Sequence, residues 1–117
     1  MKPAALLSST EPGTLALGDA APLVGHGIVS RTLLAAPELR VVVFSFAPAQ
    51  ALTEHTNPAR AVIQILTGEC EFSVAGQPQS MRAGDVLHLP PHVPHAVTAA
   101  TAMTMLLILA PERKPAA

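Results

Sequence analysis

Glycine and proline recur at short, fairly even intervals along this chain, 7 and 12 of them in 117 residues. The runs between them are rich in Val, Ile, Leu, Thr and Phe. Proline inside a helix removes a hydrogen bond and clashes with the preceding turn. No stretch long enough for a substantial helix keeps a 3.6-residue repeat free of both breakers. What remains is many short strands joined by tight turns, the pattern of an all-β sandwich or barrel. The strand candidates are GIVSRTLLA at 27–35, LRVVVFSFA at 39–47, ARAVIQILT at 59–67, ECEFSVA at 69–75, PQSMRA at 78–83, DVLHLP at 85–90, HAVTA at 95–99 and MTMLLILA at 103–110. The first 26 residues hold few strand signals and read as an arm with at most one short strand.

Two patterns among these strands carry weight. ECEFSVAG alternates, with Cys70, Phe72 and Val74 on one face and Glu69, Glu71 and Ser73 on the other. It reads as a half-buried strand followed by a turn at Ala75-Gly76-Gln77-Pro78. LRVVVFSF and MTMLLILA do not alternate, and a strand apolar on both faces must be covered on both sides. In so small a domain the second cover is most simply another subunit, so a homodimer is expected. The alternative is a monomer whose amino-terminal arm lies over that face.

Charge and cysteine content exclude several partners. Only 13% of residues are charged and the net charge is −1. The basic residues are scattered, with Arg113 and Lys114 the only close pair, so no nucleic acid is expected. Cys70 has no partner for an internal disulfide, which points to a reducing compartment and a cytoplasmic protein. In a strand-like run it reads as a buried, inert thiol. MKPAALLSSTEPG lacks the apolar core of a signal peptide. MTMLLILA is far short of the roughly 20 residues that cross a bilayer, so no membrane is expected.

Three of the five histidines fall in GDVLHLPPHVPHAV, residues 84–97. A tight Gly84-Asp85 turn feeds a strand, two prolines stop it, and Val93-Pro94-His95 restarts the chain in extended form. The residue before proline is driven away from helical geometry, so a stiff loop delivers His95 on a strand.

At this point the chain resembles the small single-domain cupins. Their second signature runs Gly, five residues, Pro, one residue, Gly, two residues, His. Here it reads Gly84, DVLHL, Pro90, Pro91, His92, Val93-Pro94, His95, with His92 in place of the second glycine. Their first signature is His-x-His, three or four residues, Glu, six residues, Gly. Anchored on Gly68, it maps onto His55, Thr56, Asn57, Pro58-Ala59-Arg60, Ala61 and VIQILT. The resemblance covers roughly residues 38 to 110 and implies a double-stranded β-helix, the jelly-roll barrel, with a pocket inside it. The domain then divides into an arm at 1–26, a barrel at 27–112 and a tail at 113–117.

Metal-binding members of that family hold one divalent ion with two histidines and a glutamate from the first signature and the histidine of the second. Carried over residue by residue, His55 and His95 are kept, Asn57 replaces the second histidine and Ala61 replaces the glutamate. Two imidazoles and a weak amide oxygen fall short of the three or more protein ligands that Zn, Fe, Mn or Ni normally takes. A third imidazole is available if the even face of DVLHLP, Val86 and His88, looks inward. The competing reading of His88 is a histidine hydrogen-bonded to a neighbour. His92 stands where the family needs glycine, and histidine is among the larger residues enriched at positive φ. Gln64 and Glu54 fall on faces opposite to Ala61 and His55 and are expected to point away from the pocket. His26, between two glycines, reads as a turn residue.

The pocket set is therefore His55, Asn57, Ala61, His88 and His95, among apolar side chains. No nucleophile–base set or phosphate loop accompanies them, and the catalytic residues are unknown. An apolar cavity with a few polar points fits a small-molecule site. The first functional expectation is a small, mostly apolar ligand with a degraded metal site. The alternative is a metal-dependent dioxygenase or isomerase using His55, His88 and His95, whose bound ion acts as Lewis acid or oxygen activator.

Overall fold

The structure is a computed structural model that describes residues 5–111. The expected tail at 113–117, with Arg113 and Lys114, lies outside the described residues. Nine strands and one helical turn follow in order: α1 (Leu17–Ala20), β1 (Ile28–Ala36), β2 (Leu39–Phe46), β3 (Ala51–His55), β4 (Arg60–Thr67), β5 (Glu69–Val74), β6 (Gln77–Arg82), β7 (Val86–Leu89), β8 (His95–Ala99) and β9 (Met103–Ala110). They form two antiparallel sheets. The larger has the order β1-β2-β9-β4-β7 and the smaller β3-β8-β5-β6.

The inner faces of both sheets enclose one apolar core. Phe46, Ile63, Ile65, Met103 and Met105 come from the larger sheet; Cys70, Phe72, Val97 and Ala99 come from the smaller. The alternation expected of ECEFSV is present, with Cys70 and Phe72 buried and Glu69 and Glu71 exposed. Its hairpin into β6 turns on Ala75 and Gly76, both at positive φ. Such a two-residue turn matches the right-handed twist of the strands it joins. Pro78 falls inside β6 rather than in that turn, on an edge strand, where a missing N–H donor is tolerated.

Eight strands lie within a residue or two of the runs read from the sequence. β3 was not among them. ALTEH has only one half-buried residue, Leu52, so its burial leaves no alternation to detect. The strand exists because β8 offers it a partner: Ala51 pairs with Thr98 and Leu52 with Val97.

The outward face of the larger sheet is covered in part by the arm. Leu15, Leu17, Ala20 and Ala21 pack on Leu33, Val41, Val43, Leu66 and Leu106. Two backbone bonds anchor the start of the arm to β1, Leu6 N–H to the Thr32 carbonyl at 3.2 Å and Leu7 N–H to the Leu33 carbonyl at 2.7 Å. They fall at the irregularity between Thr32 and Leu34, where β1 loses register with β2. The buried Ser45 hydroxyl donates to the Ala21 carbonyl, which satisfies the only polar side chain β2 buries. This is why LRVVVFSF is apolar on both sides: one side meets the core, the other the chain's own arm.

Between β4 and β5 the chain passes from the larger sheet to the smaller through a single residue, Gly68. Its φ is +79°, and a Cβ there would lie 2.7 Å from the Met103 Cβ and against the Ala102 carbonyl oxygen. Gly76 has a similar φ of +80° but open space around it. Left-handed geometry costs a residue with a Cβ about 1–2 kcal/mol, and overpacking adds about 1–3 kcal/mol. Gly68→Ala is therefore expected to lose about 2–5 kcal/mol in denaturant unfolding and Gly76→Ala only about 1–2 kcal/mol. Equal losses in the two variants would show that close approach at Gly68 is not limiting.

Candidate functional site

β3 and β8 meet at one end of the barrel, and their last paired residues are His55 and His95. The register slips between Leu52 and His55. That irregularity matters, because simple alternation from the inward Leu52 would aim Glu54, not His55, at the core side. A bulge re-aims the following side chain. His55 thereby shares a face with His95, whose neighbours Val97 and Ala99 are core residues. The two rings stand with centroids 4.2 Å apart at 60°, edge to face. His95 is 9% exposed and His55 is exposed, so the pair runs from the core edge to the mouth.

Both rings are held the same way. Nδ1 of His55 lies 2.8 Å from the Thr53 carbonyl, and Nδ1 of His95 lies 2.9 Å from the Val93 carbonyl. A carbonyl oxygen only accepts, so each Nδ1 carries the proton and donates. In the neutral rings the lone pairs are therefore on Nε2. Among the described residues no buried side-chain nitrogen or oxygen lacks a partner. Leu52, Val74, Val93, Leu107 and Leu109 are half-buried against the core, and Val74 lies opposite His95 in the β5–β8 pairing.

The remaining pocket residues are placed as follows. Ala61 is buried on the inner face of β4, between Leu89 and Leu109. Asn57 is half-buried, and its Oδ1 accepts from the Ala59 N–H at 2.9 Å, so the carboxamide folds back on its own loop. The Asn57 carbonyl accepts from the His92 N–H at 2.8 Å, tying the two signature loops together. His92 adopts φ +68° and is exposed, as expected for a residue standing in a glycine position. Gln64 and Glu54 are exposed, again as expected, and so is His26.

His88 is the correction. Leu89, 2% exposed, and Leu87 pack into the core, so Val86 and His88 face outward. The apolar leucines claim the inner face, and with a period of two the even positions must take the other. His88 Nε2 instead accepts a hydrogen bond from Arg60 Nη1 at 2.7 Å, the hydrogen-bonded reading of that residue. The sequence held no signal for this pair, since only the β4–β7 register, Val62 opposite His88, brings them together.

The donor set can now be tested against the metal the family resemblance implies. It consists of two imidazole nitrogens; the Asn57 oxygen is engaged by Ala59, and Ala61 has no donor atom. Among the described residues no group of three or more His, Cys, Asp or Glu side chains could hold a metal ion. The residues present do not fit a tightly held Zn, Fe, Mn or Ni. A three-imidazole centre at His55, His88 and His95 is not assembled.

Cys70 is buried and free, on the core face of β5. Burial, aided by the negative charge of Asp85, pushes its thiol up to about 11. The neutral thiol is thus favoured by the fold. Any stability this confers is fully present below about pH 9 and is lost as pH rises towards about 11. At mildly alkaline pH the native protein is expected to react with a thiol reagent about 100-fold more slowly than the unfolded chain, from thiolate fraction alone. Equal rates with and without denaturant would contradict the assignment.

Comparisons with known proteins agree with this architecture. A family model described as cupin domain matches residues 42–110. Among solved structures, the chain is similar to a conserved protein of unknown function from Streptococcus pyogenes, with 25% identity over 95% of this chain and 97% of that one and a TM-score of 0.81. It is similar to a cupin superfamily protein from Desulfitobacterium hafniense, with 24% identity, 92% and 96% coverage and a TM-score of 0.79. It is 34% identical to a cupin 2 conserved barrel domain protein from Leptotrichia buccalis over 80% of this chain and 45% of that one, with a TM-score of 0.73. No curated protein matches the chain.

Proposed function

Because the chain belongs to the cupin family, we propose that it binds a small, mostly apolar molecule at the barrel mouth without a resident transition metal. The observation that carries this reading is the His55–His95 pair, beside which no third His, Cys, Asp or Glu completes a metal-holding group among the described residues. A concave apolar surface with a few fixed polar atoms is the general recipe for a small-molecule site. Ala61 supports it further: where the metal-binding cupins that the chain resembles carry a glutamate, this chain has a buried methyl group.

The single Cys70 and the absence, among the described residues, of a helix long and apolar enough to cross a membrane are compatible with our placing the protein in the cytoplasm. We also propose a homodimer, with the second copy over the part of the outer sheet face around Val86, which is 62% exposed. Sedimentation equilibrium reads this directly, and a monomer at all concentrations up to the millimolar range removes it.

Elemental analysis of protein purified without chelators is expected to find far less than one transition-metal atom per chain. One Fe, Mn, Ni or Zn retained per chain through dialysis overturns the metal-free reading. A thermal-shift screen of small apolar molecules on the same material is expected to yield ligands that raise Tm by several degrees. Saturation at about 100 times Kd is worth about 2.7 kcal/mol. His55→Ala and His95→Ala are each expected to weaken such ligands by about tenfold or less, the scale of one hydrogen bond, while leaving the fold intact.

A further inference from the structure

Apart from the histidine pair, we propose that the arm and the outer face of the larger sheet form a second binding site. Its ligand is a neutral, mostly apolar molecule with one accepting oxygen, such as a ketone or an ester. The arm covers that face without filling the space beneath it. A cavity of about 450 Å³ remains, lined by Ala21, Pro22 and Leu23 of the arm and by Val43, Leu66 and Thr104 of the sheet. That volume falls within the roughly 300–1,000 Å³ of small-molecule sites. The histidine pair is elsewhere, at the ends of two strands of the smaller sheet.

The charge of the occupant follows from the lining. None of the nine residues around the cavity is ionisable. Arg31, across the β1–β2 pairing from Val43, and Asp19 of α1 are exposed and do not line it. A charged group taken in here loses water and gains no counter-charge. Leu23 lines the cavity while 55% exposed, so it offers apolar surface that an occupant covers.

The polar point of the cavity is built by a register skip. Ile65 pairs with Met105 and Thr67 with Thr104, so β4 carries one extra residue at Leu66. A bulge of this kind re-aims the side chain that follows it. Thr67 thereby joins Leu66 and Thr104 at the cavity. Its Oγ1 accepts the Thr104 N–H at 3.1 Å and lies 2.8 Å from Thr104 Oγ1. Two hydroxyls carry two protons, and this contact uses one. Whichever oxygen donates, one O–H is left over and meets no acceptor among the described residues. An oxygen on the ligand takes that proton.

The test uses the full chain near neutral pH and three eight-carbon probes, 2-octanone, octanoate and octylamine. Titration calorimetry is expected to show the ketone binding at least about tenfold more tightly than either ion. Thr104→Val is expected to weaken the ketone by about three- to tenfold, and Thr104→Ser to restore it. Either ion binding as tightly as the ketone overturns the neutral class of ligand.

Methyl NMR spectra locate the ketone. Its addition is expected to shift the methyl signals of Ala21, Leu66 and Thr104 in the native protein and in His55→Ala alike. Shifts confined to Leu52, Val74 and Val93 place the ketone beside the histidines, which overturns the second site and leaves the barrel-mouth reading standing. Shifts at neither place overturn the second site, and so do shifts at Ala21 and Leu66 that follow protein concentration without ligand, the mark of a second copy over the cavity.

Discussion

The placement of the strand side chains among the described residues follows from one demand, that the apolar faces of nine short strands be buried between two sheets. Once Phe46, Ile65, Phe72 and Met103 meet in the interior, alternation assigns each neighbouring residue to the inside or the outside with no freedom left. A one-residue slip would expose the whole apolar face of a strand, so register is held by many side chains acting together. The site inherits its geometry from that demand. His95 faces the barrel because Val97 and Ala99 do, and His88 faces solvent because Leu87 and Leu89 do not.

Where the strand period is broken, the break has a structural consequence. The slip in β3 between Leu52 and His55 turns a histidine into the barrel that strict alternation would have pointed away. The irregularity in β1 falls where the arm makes its first backbone bonds. At Gly68 a single residue at positive φ carries the chain between sheets against the Ala102–Met103 backbone. These three positions shape the mouth, the outer cover and the closure of the barrel respectively.

The mouth differs from a metal centre in chemistry more than in shape. Two rings converge at the barrel end on the two signature segments, and the Asn57–His92 backbone bond holds those segments together. The cupin barrel thus carries two imidazoles side by side where β3 and β8 end. Ala61 has no donor atom and the Asn57 Oδ1 is taken by the Ala59 N–H, so neither residue adds a coordinating oxygen. Fixing Nδ1 on backbone carbonyls sets the orientation of each ring.

The amino-acid sequence by itself determined the all-β class and eight of the strands, whereas His55 was linked to His95 only through the resemblance to cupins and needed the register slip in β3 to meet it. It did so because glycine and proline spacing, β-branched runs and the residue before proline act locally, within a few positions. The positive φ of His92 was legible for the same reason. Three features belong to the tertiary structure alone. β3 needs β8 beside it, His88 takes its direction from leucines that compete for the core, and the arm finds its place only on an assembled sheet face. Each depends on residues far apart in the chain, and the local pattern at these three places does not record which face the folded molecule will bury.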